Sequence, residues 1–281
     1  MLKLKQSNAD IFIPDASDTT AALQRTTHLA IGAHQDDLEI FAYNGIADCY
    51  LQKDQWFTGV TVTNGAGSSR TGVYADYTDA DMMQVRREEQ NKAAFIGDYA
   101  AQLQLDYGSA VVRSDEDSGP VVEDLLNILK IAQPTTVYLH NPADKHSTHI
   151  GVLKRCIAAL RQLPAEQRPQ QIYGCEVWRD LDWMLDEDKI ALPASKYPNL
   201  SAALIGVFDS QISGGKRYDL ATAGRRLANA TYHNAYASDN DAGLTWAMDL
   251  KPVVDDPELS LRDYALGFIE RFKQDVIERH G

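Results

Sequence analysis

Thr27-His28-Leu29-Ala30-Ile31-Gly32-Ala33-His34-Gln35-Asp36-Asp37 decides how the chain is read. Leu29 to Gly32 is a short apolar run, and Ala33 to Asp37 is a tight polar loop behind it. That order predicts a strand over 27–32 that empties into a loop. In a parallel α/β sheet, ligands bind outside the carboxyl ends of the strands. A His and two Asp at the end of the first confident strand therefore stand where such a fold does chemistry.

Working outward, residues 40–53 repeat apolar side chains at helical spacing (Ile40, Phe41, Ile46, Ala47, Tyr50, Leu51). Residues 56–63, WFTGVTVT, are rich in β-branched and aromatic types and read as a second strand. A right-handed crossover makes these two strands parallel. The second strand runs into Thr63-Asn64-Gly65-Ala66-Gly67-Ser68-Ser69-Arg70-Thr71-Gly72, where glycines allow sharp turning or close approach to a ligand. Arg70 stands where a dinucleotide fingerprint needs its third Gly, so the segment reads as a pocket wall, with Arg70, Tyr74 and Tyr77 as substrate-facing candidates.

Further along, the pattern predicts a helix over 79–96 capped by Thr78 or Asp79 and stopped by Gly97. By spacing, its Arg86-Arg87-Glu88-Glu89 run reads as an exposed face with intrahelical ion pairs. A strand follows over 102–107, a helix over 121–132, a strand over 135–140 and a helix from about 149 to 163. Residues 171–178 read as another strand and 181–198 as irregular. Helices are expected over 199–212, 218–237 and 261–278, and the first 25 residues as an arm with one short helix at 19–24. Strand–helix alternation up to about 178 favours one doubly wound α/β domain over 1–281, with a core at 26–178 and a helical C-terminal extension at 179–281.

The bulk numbers exclude several roles. With 281 residues and 44% hydrophobic content, the chain can bury a large core. A net charge of −13 repels polyanions, so nucleic acid is not an expected partner. Cys49, Cys156 and Cys175 are scattered and odd in number, which rules out a CxxC zinc knuckle and predicts free thiols. Neither a secretory leader nor a membrane span is seen, and the expectation is a cytoplasmic protein.

His34 and Asp37 are three apart on one loop, a workable metal chelate. The loop after the 135–140 strand, Asn141-Pro142-Ala143-Asp144-Lys145-His146-Ser147-Thr148-His149, offers a third ligand from His146 or His149 if the two strands are neighbours. Asp36 would then be free to take a proton from water, and the remaining imidazole to steady an oxyanion or protonate a leaving nitrogen. Each piece also has a plainer reading: Asp37 as a helix cap, His146 and His149 as polar caps. His28, His140, His233 and His280 have no partner at useful spacing, and the Asp115-Glu116-Asp117, Asp186-Glu187-Asp188, Asp239/Asp241 and Asp255-Asp256 clusters read as solvated loops.

Ala33-His34-Gln35-Asp36-Asp37 resembles the AHPDD motif of the PIG-L/LmbE-like family of zinc-dependent N-acetylglucosaminyl de-N-acetylases. His146-Ser147-Thr148-His149 resembles that family's HxDH motif, residues 63–67 its glycine loop, residues 86–97 its R-E-A-G helix, and Ser210-Gln211 its SQ dipeptide. The resemblance spans about residues 27–230. It implies a Rossmann-like three-layer sandwich with a mostly parallel sheet, and zinc held by His34, Asp37 and His149. It further implies Asp36 as general base, His146 as oxyanion stabiliser or acid, Arg70 on the substrate, and an N-acetylated sugar as substrate. Gln35 replaces the family Pro, and Thr148 replaces the Asp of HxDH, an exchange that puts rate and pH profile in question. Thr148 keeps open a catalytically silent sugar-binding relative, and Gly65-x-Gly67 a nucleotide-binding protein. The particular sugar, the oligomeric state, a homo-oligomer included, and the metal used in the cell are not written in the sequence.

Overall fold

The central strands carry almost nothing but buried side chains, the pattern of parallel strands covered on both faces. The structure, a computed structural model, describes residues 2–116 and 118–281. Its strands are β1 (Asp10–Phe12), β2 (His28–Gly32), β3 (Phe57–Thr63), β4 (Ala101–Tyr107), β5 (Thr136–His140), β6 (Gln171–Cys175), β7 (Ile190–Pro193) and β8 (Leu244–Asp249). They form one mixed sheet in the order β1-β4-β3-β2-β5-β6-β8-β7. Strands β4, β3, β2, β5 and β6 are parallel to their neighbours in that run. The β1–β4, β6–β8 and β8–β7 pairs are antiparallel.

Chain order runs outward from β2 in both directions, to β3 and β4 on one side and to β5 and β6 on the other. The reversal falls between β2 and β5, where Leu29 sits opposite Val137 and Ala30 opposite Tyr138. Alternate residues face alternate layers. Leu29, Ile31, Val60, Val62, Leu103, Leu105, Val137 and Leu139 pack with Leu125, Ile128, Val152 and Cys156 of the Gly119–Ala132 and Ser147–Arg161 helices. Ala30, Phe57 and Tyr138 face the other way, onto Leu38, Phe41, Ile46, Leu204 and Phe208. These are the helix, sheet and helix layers expected of an LmbE-like α/β fold.

Several elements differ in detail from the sequence reading. The helix expected over 40–53 is two, Asp37–Phe41 and Tyr43–Cys49, meeting at Ala42. The helix expected over 199–212 is likewise divided, into Pro198–Gly206 and Asp209–Ile212, and the next one ends at Thr231. Helices dominate the C-terminal part, but it also returns β7 and β8 to the sheet. β7 lies within the stretch read as irregular; it is four residues long, sits at the sheet edge and ends on Pro193, where an unpaired backbone face tolerates proline. β1 is three residues long and only half-buried, too little for a periodic signal. The Asp79–Ile96 helix has the expected ends, with Thr78 and Asp81 forming a capping box. All three cysteines are free and buried. Asp115 is solvated and pairs with Arg155 at 2.8 Å, whereas Asp117 lies outside the described residues. Among the described residues no helix is long and apolar enough to cross a membrane.

Glu176, just past β6, locks the antiparallel addition in place. Its backbone N–H donates to the Trp246 carbonyl, and its carboxylate accepts from the Trp246 N–H at 3.0 Å and from Asn229 Nδ2. Burial pushes this carboxyl up to about 7 against opposing bonds from Trp246 and the nearby Arg225 charge. The folded form therefore binds the proton more tightly than the unfolded chain. This group's contribution is largest at low pH and is lost as pH rises from about 4.5 to about 7, a span worth roughly 3 kcal/mol at most. Glu176→Gln keeps an acceptor for both donors and should flatten that part of the stability–pH curve in chemical unfolding; an unaltered slope would show that Glu176 does not carry it.

Candidate active site

The loops after β2 and β5 open on the same edge of the sheet because the two strands are parallel neighbours. His34, Asp36 and Asp37 come from the first loop, and His146 and His149 from the second; all but His149 line a cavity of about 520 Å³. His34 Nδ1 lies 3.2 Å from His149 Nε2 and 3.4 Å from Asp37 Oδ2, and His149 Nε2 lies 3.5 Å from Asp37 Oδ1. Ligand atoms about 2.0–2.1 Å from a tetrahedral zinc are separated by about 3.3–3.4 Å along each edge. The three groups approach that spacing, with different Asp37 oxygens facing the two imidazoles. The wider cluster also groups His146 with His34 and His149, and His140 with Asp37 and His149.

Proton placement points the same way. Asp144 Oδ2 is 3.2 Å from His149 Nδ1, so that nitrogen carries the proton and Nε2 presents a lone pair to the cluster. Burial pushes the His149 imidazole down to about 4, keeping it neutral. Burial opposes ionisation of Asp144, but bonds from His149 and the His146 backbone N–H outweigh it and hold the carboxyl below its usual range. Asp144 Oδ2 also accepts the Trp178 N–H at 3.2 Å. A carboxylate behind a ligating histidine fixes tautomer and ring orientation.

Neither Asp caps the helix with its side chain. Asp36 precedes the Asp37–Phe41 helix without any side-chain capping bond, and Asp37 Oδ2 accepts the His34 N–H at 2.7 Å instead. Asp36 has φ +88, a left-handed conformation that strains any residue but glycine. Its backbone N–H donates to Gln90 Oε1 at 3.2 Å, and its Oδ2 accepts from Arg86 Nη2 at 3.0 Å. Arg86 Nη2 also donates to the Gln35 carbonyl. Burial raises the Asp36 carboxyl to about 6, with Arg86 pulling against it and Asp37 adding to it. His146 is in part the plain cap, its Nδ1 accepting the Thr148 N–H at 3.3 Å, which leaves its proton on Nε2. Burial, then the neighbouring His34, lowers its pKa.

Three expectations are corrected by these contacts. An intrahelical ion pair forms as expected, Arg86 with Glu89 at 3.5 Å, and Glu88 is exposed, but the pair itself is not on an exposed face: Arg86 is 1% and Glu89 4% exposed. Arg86 bridges Asp36 to Glu89, and Glu89 accepts from the Ser210 N–H at 2.7 Å and the Ser210 hydroxyl at 2.6 Å. His140 does have partners: at the end of β5 it stacks on His149 with centroids 3.9 Å apart, and its Nε2 accepts the Ala33 N–H at 2.9 Å. That bond occupies the Nε2 lone pair and leaves His140 as a wall rather than a ligand. Arg70 is not brought to the cavity; it pairs with Asp79 and donates to the Ala66 carbonyl, while Tyr74 donates to Asp209 at 2.7 Å. Asp144 had no spacing signal of its own, being one carboxylate in a polar loop.

Residues 29–160 match the model of the PIG-L family, GlcNAc-PI de-N-acetylase. Those residues form a PIG-L segment. It contains both loops that build the cluster. Over 167 residues the chain is 28% identical to the uncharacterized deacetylase YaiS of Escherichia coli (strain K12), covering 58% of this chain and 80% of that protein. Two solved structures share the fold. One is N,N'-diacetylchitobiose deacetylase from Pyrococcus horikoshii, with a TM-score of 0.60, 18% identity, and coverage of 80% of this chain and 84% of that one. The other is GalB, the 4-carboxy-2-hydroxymuconate hydratase of Pseudomonas putida KT2440, with a TM-score of 0.62, 20% identity, and coverage of 81% and 96%. The fold thus serves more than one chemistry, and the reaction must be argued from the residues.

Within the PIG-L segment, Gly65 is required twice over. Its φ is +74, and a Cβ there would stand 2.7 Å from Gln35 Oε1 and 3.0 Å from Arg86 Cγ. A Cβ at Gly67 would meet nothing within 4 Å. Gly65→Ala should lower unfolding stability by about 1–3 kcal/mol, whereas Gly67→Ala should stay within about 0.5 kcal/mol of wild type. Equal urea midpoints for the two variants would contradict this.

Proposed function

We propose that the chain is a metal-dependent amide hydrolase that removes an N-acetyl group from an N-acetylglucosamine-type sugar or conjugate. The observation that carries it is the triangle of His34 Nδ1, Asp37 and His149 Nε2, all within 3.5 Å, at a cavity wall beside Asp36. Membership of the segment in a deacetylase family supports the reaction type. Two imidazoles and a carboxylate form a borderline-soft donor set that suits zinc. When bound, such a metal supplies Lewis acidity toward the amide carbonyl and lets a water lose its proton near neutral pH.

The side chains divide the remaining work. Asp36 takes the proton from the attacking water and returns it to the leaving nitrogen, so the C–N bond breaks to acetate and a free amine. Arg86 holds the Asp36 carboxylate by one oxygen, leaving the other for that transfer. His146, neutral and protonated at Nε2, donates a hydrogen bond to the oxygen that gains charge. Asp144 keeps His149 in the ligating tautomer. It supplies a carboxylate behind an imidazole in a motif where Thr148 has replaced one, which favours an active enzyme over a silent relative.

Acetate release from N-acetylated glycosides, with and without a chelator, tests the reading. Chelation should abolish release and zinc should restore it. Asp36→Asn should keep its metal and lose about 10²–10⁴ of turnover. His149→Ala should lose the metal, and Asp144→Ala should weaken it about 10–100-fold. Wild-type turnover in Asp36→Asn would place the base elsewhere, and chelator-resistant release would remove the metal from the reaction.

A further inference from the structure

Beyond the metal-ligand cluster, the same cavity is lined by Lys145, Lys216, Arg225 and Arg226. None of the four has a carboxylate within ion-pair distance among the described residues, although most of the arginines outside the cavity do, for example Arg87 with Asp106 and Arg155 with Asp115. Arg226 is buried, yet it binds only neutral acceptors: Ser201 Oγ at 2.6 Å and the Glu39 and Ile40 carbonyls at 2.8 and 3.0 Å. Its Nε has no partner. Arg225 donates to the Val177 carbonyl through Nη1, and no protein acceptor among the described residues takes its other N–H groups. Lys216 Nζ lies 4.9 Å from the Trp178 ring.

Of the acids facing this space, Glu176 acts on Arg225 and Arg226 through its charge, but none of the acids forms an ion pair with the four cations among the described residues. Asp36 is paired with Arg86, and Asp37 belongs to the metal-ligand cluster. Glu176 is held by Trp246 and Asn229. A chain of net charge −13 thus keeps a positively charged wall inside the cavity that holds the His/Asp cluster, where low-dielectric surroundings focus the field. The wall is within reach of the chemistry, because the Trp178 ring that carries Lys216 is 6.3 Å from the His146 ring.

We propose that this wall is an anion subsite: the acetylated substrate itself carries a carboxylate or a phosphate, received by Lys216 and Arg225, with Lys145 beside His146 adding to the attraction. The proposal rests on the amide-hydrolysis reading, and the test separates the two.

Steady-state acetate release is measured for N-acetylglucosamine, N-acetylglucosamine 6-phosphate and N-acetylmuramic acid. At least one anionic sugar should exceed the neutral one in kcat/KM by about tenfold or more, the worth of one charge-assisted hydrogen bond. The arm that responds tells phosphate from carboxylate. In Lys216→Met/Arg225→Gln that advantage should vanish, mainly through KM, and added salt should erode it in the wild type. Lys92→Met, which removes an exposed charge away from the cavity, should preserve the ratio. Equal kcat/KM for all three sugars would overturn the subsite. Should no sugar release acetate, the deacetylase reading fails alone, and calorimetry with glucosamine 6-phosphate and inorganic phosphate decides the subsite. Binding to wild type that the double variant weakens about tenfold supports it, and binding that is absent or unchanged overturns it.

Discussion

The parallel pairing of β2 with β5 is the contact on which the site depends. Neither loop contains a complete ligand set. The β2 loop brings an imidazole and two carboxylates, and the β5 loop brings two imidazoles, one of them, His149, with a carboxylate behind it. Parallel strands in register end at the same level, so both loops emerge side by side at the point where chain order reverses. The backbone ladder thereby places His34 and His149, 115 residues apart in sequence, within 3.2 Å. The hydrophobic layers on either face keep that register: a slip of one residue would turn Leu29 and Ile31 out of one core and Ala30 out of the other.

A second constraint is electrostatic. Arg86 is buried, and a buried charge is tolerated only when partners satisfy it. Its partners are Asp36 and the Gln35 carbonyl on the β2 loop, and Glu89 one turn along its own helix. Glu89 in turn holds Ser210 from the C-terminal part. One guanidinium thus fixes the strained backbone at Asp36 and ties the site loop to the layer that covers it. Deleting one partner of such a buried pair costs about 3–5 kcal/mol, which explains how the left-handed Asp36 persists.

Much of this was legible in the sequence, for identifiable reasons. Long runs with a clean period, such as residues 57–63, 79–96 and 136–140, gave elements close to those observed. The two polar loops were legible because each follows an apolar strand. What stayed hidden depends on neighbours that sequence spacing does not reveal. The burial of Arg86 and Glu89 depends on Ser210 and Asp36 lying over them, and local i, i+3 spacing reads identically on an exposed helix. His140 is the last residue of β5, and its hydrogen bond to the Ala33 N–H exists only because β2 is the adjacent strand. Arg70 was drawn to the cavity by its position after the glycine loop, yet Asp79 at the start of the next helix holds it away.

The metal centre at the β2–β5 reversal is the central claim, and an anomalous difference map at the zinc edge from metal-loaded crystals tests it most directly. A single strong peak bounded by His34, Asp37 and His149, with His140 still bonded to the Ala33 N–H, is the expected result. A peak elsewhere in the molecule, or none at full zinc loading, would contradict it.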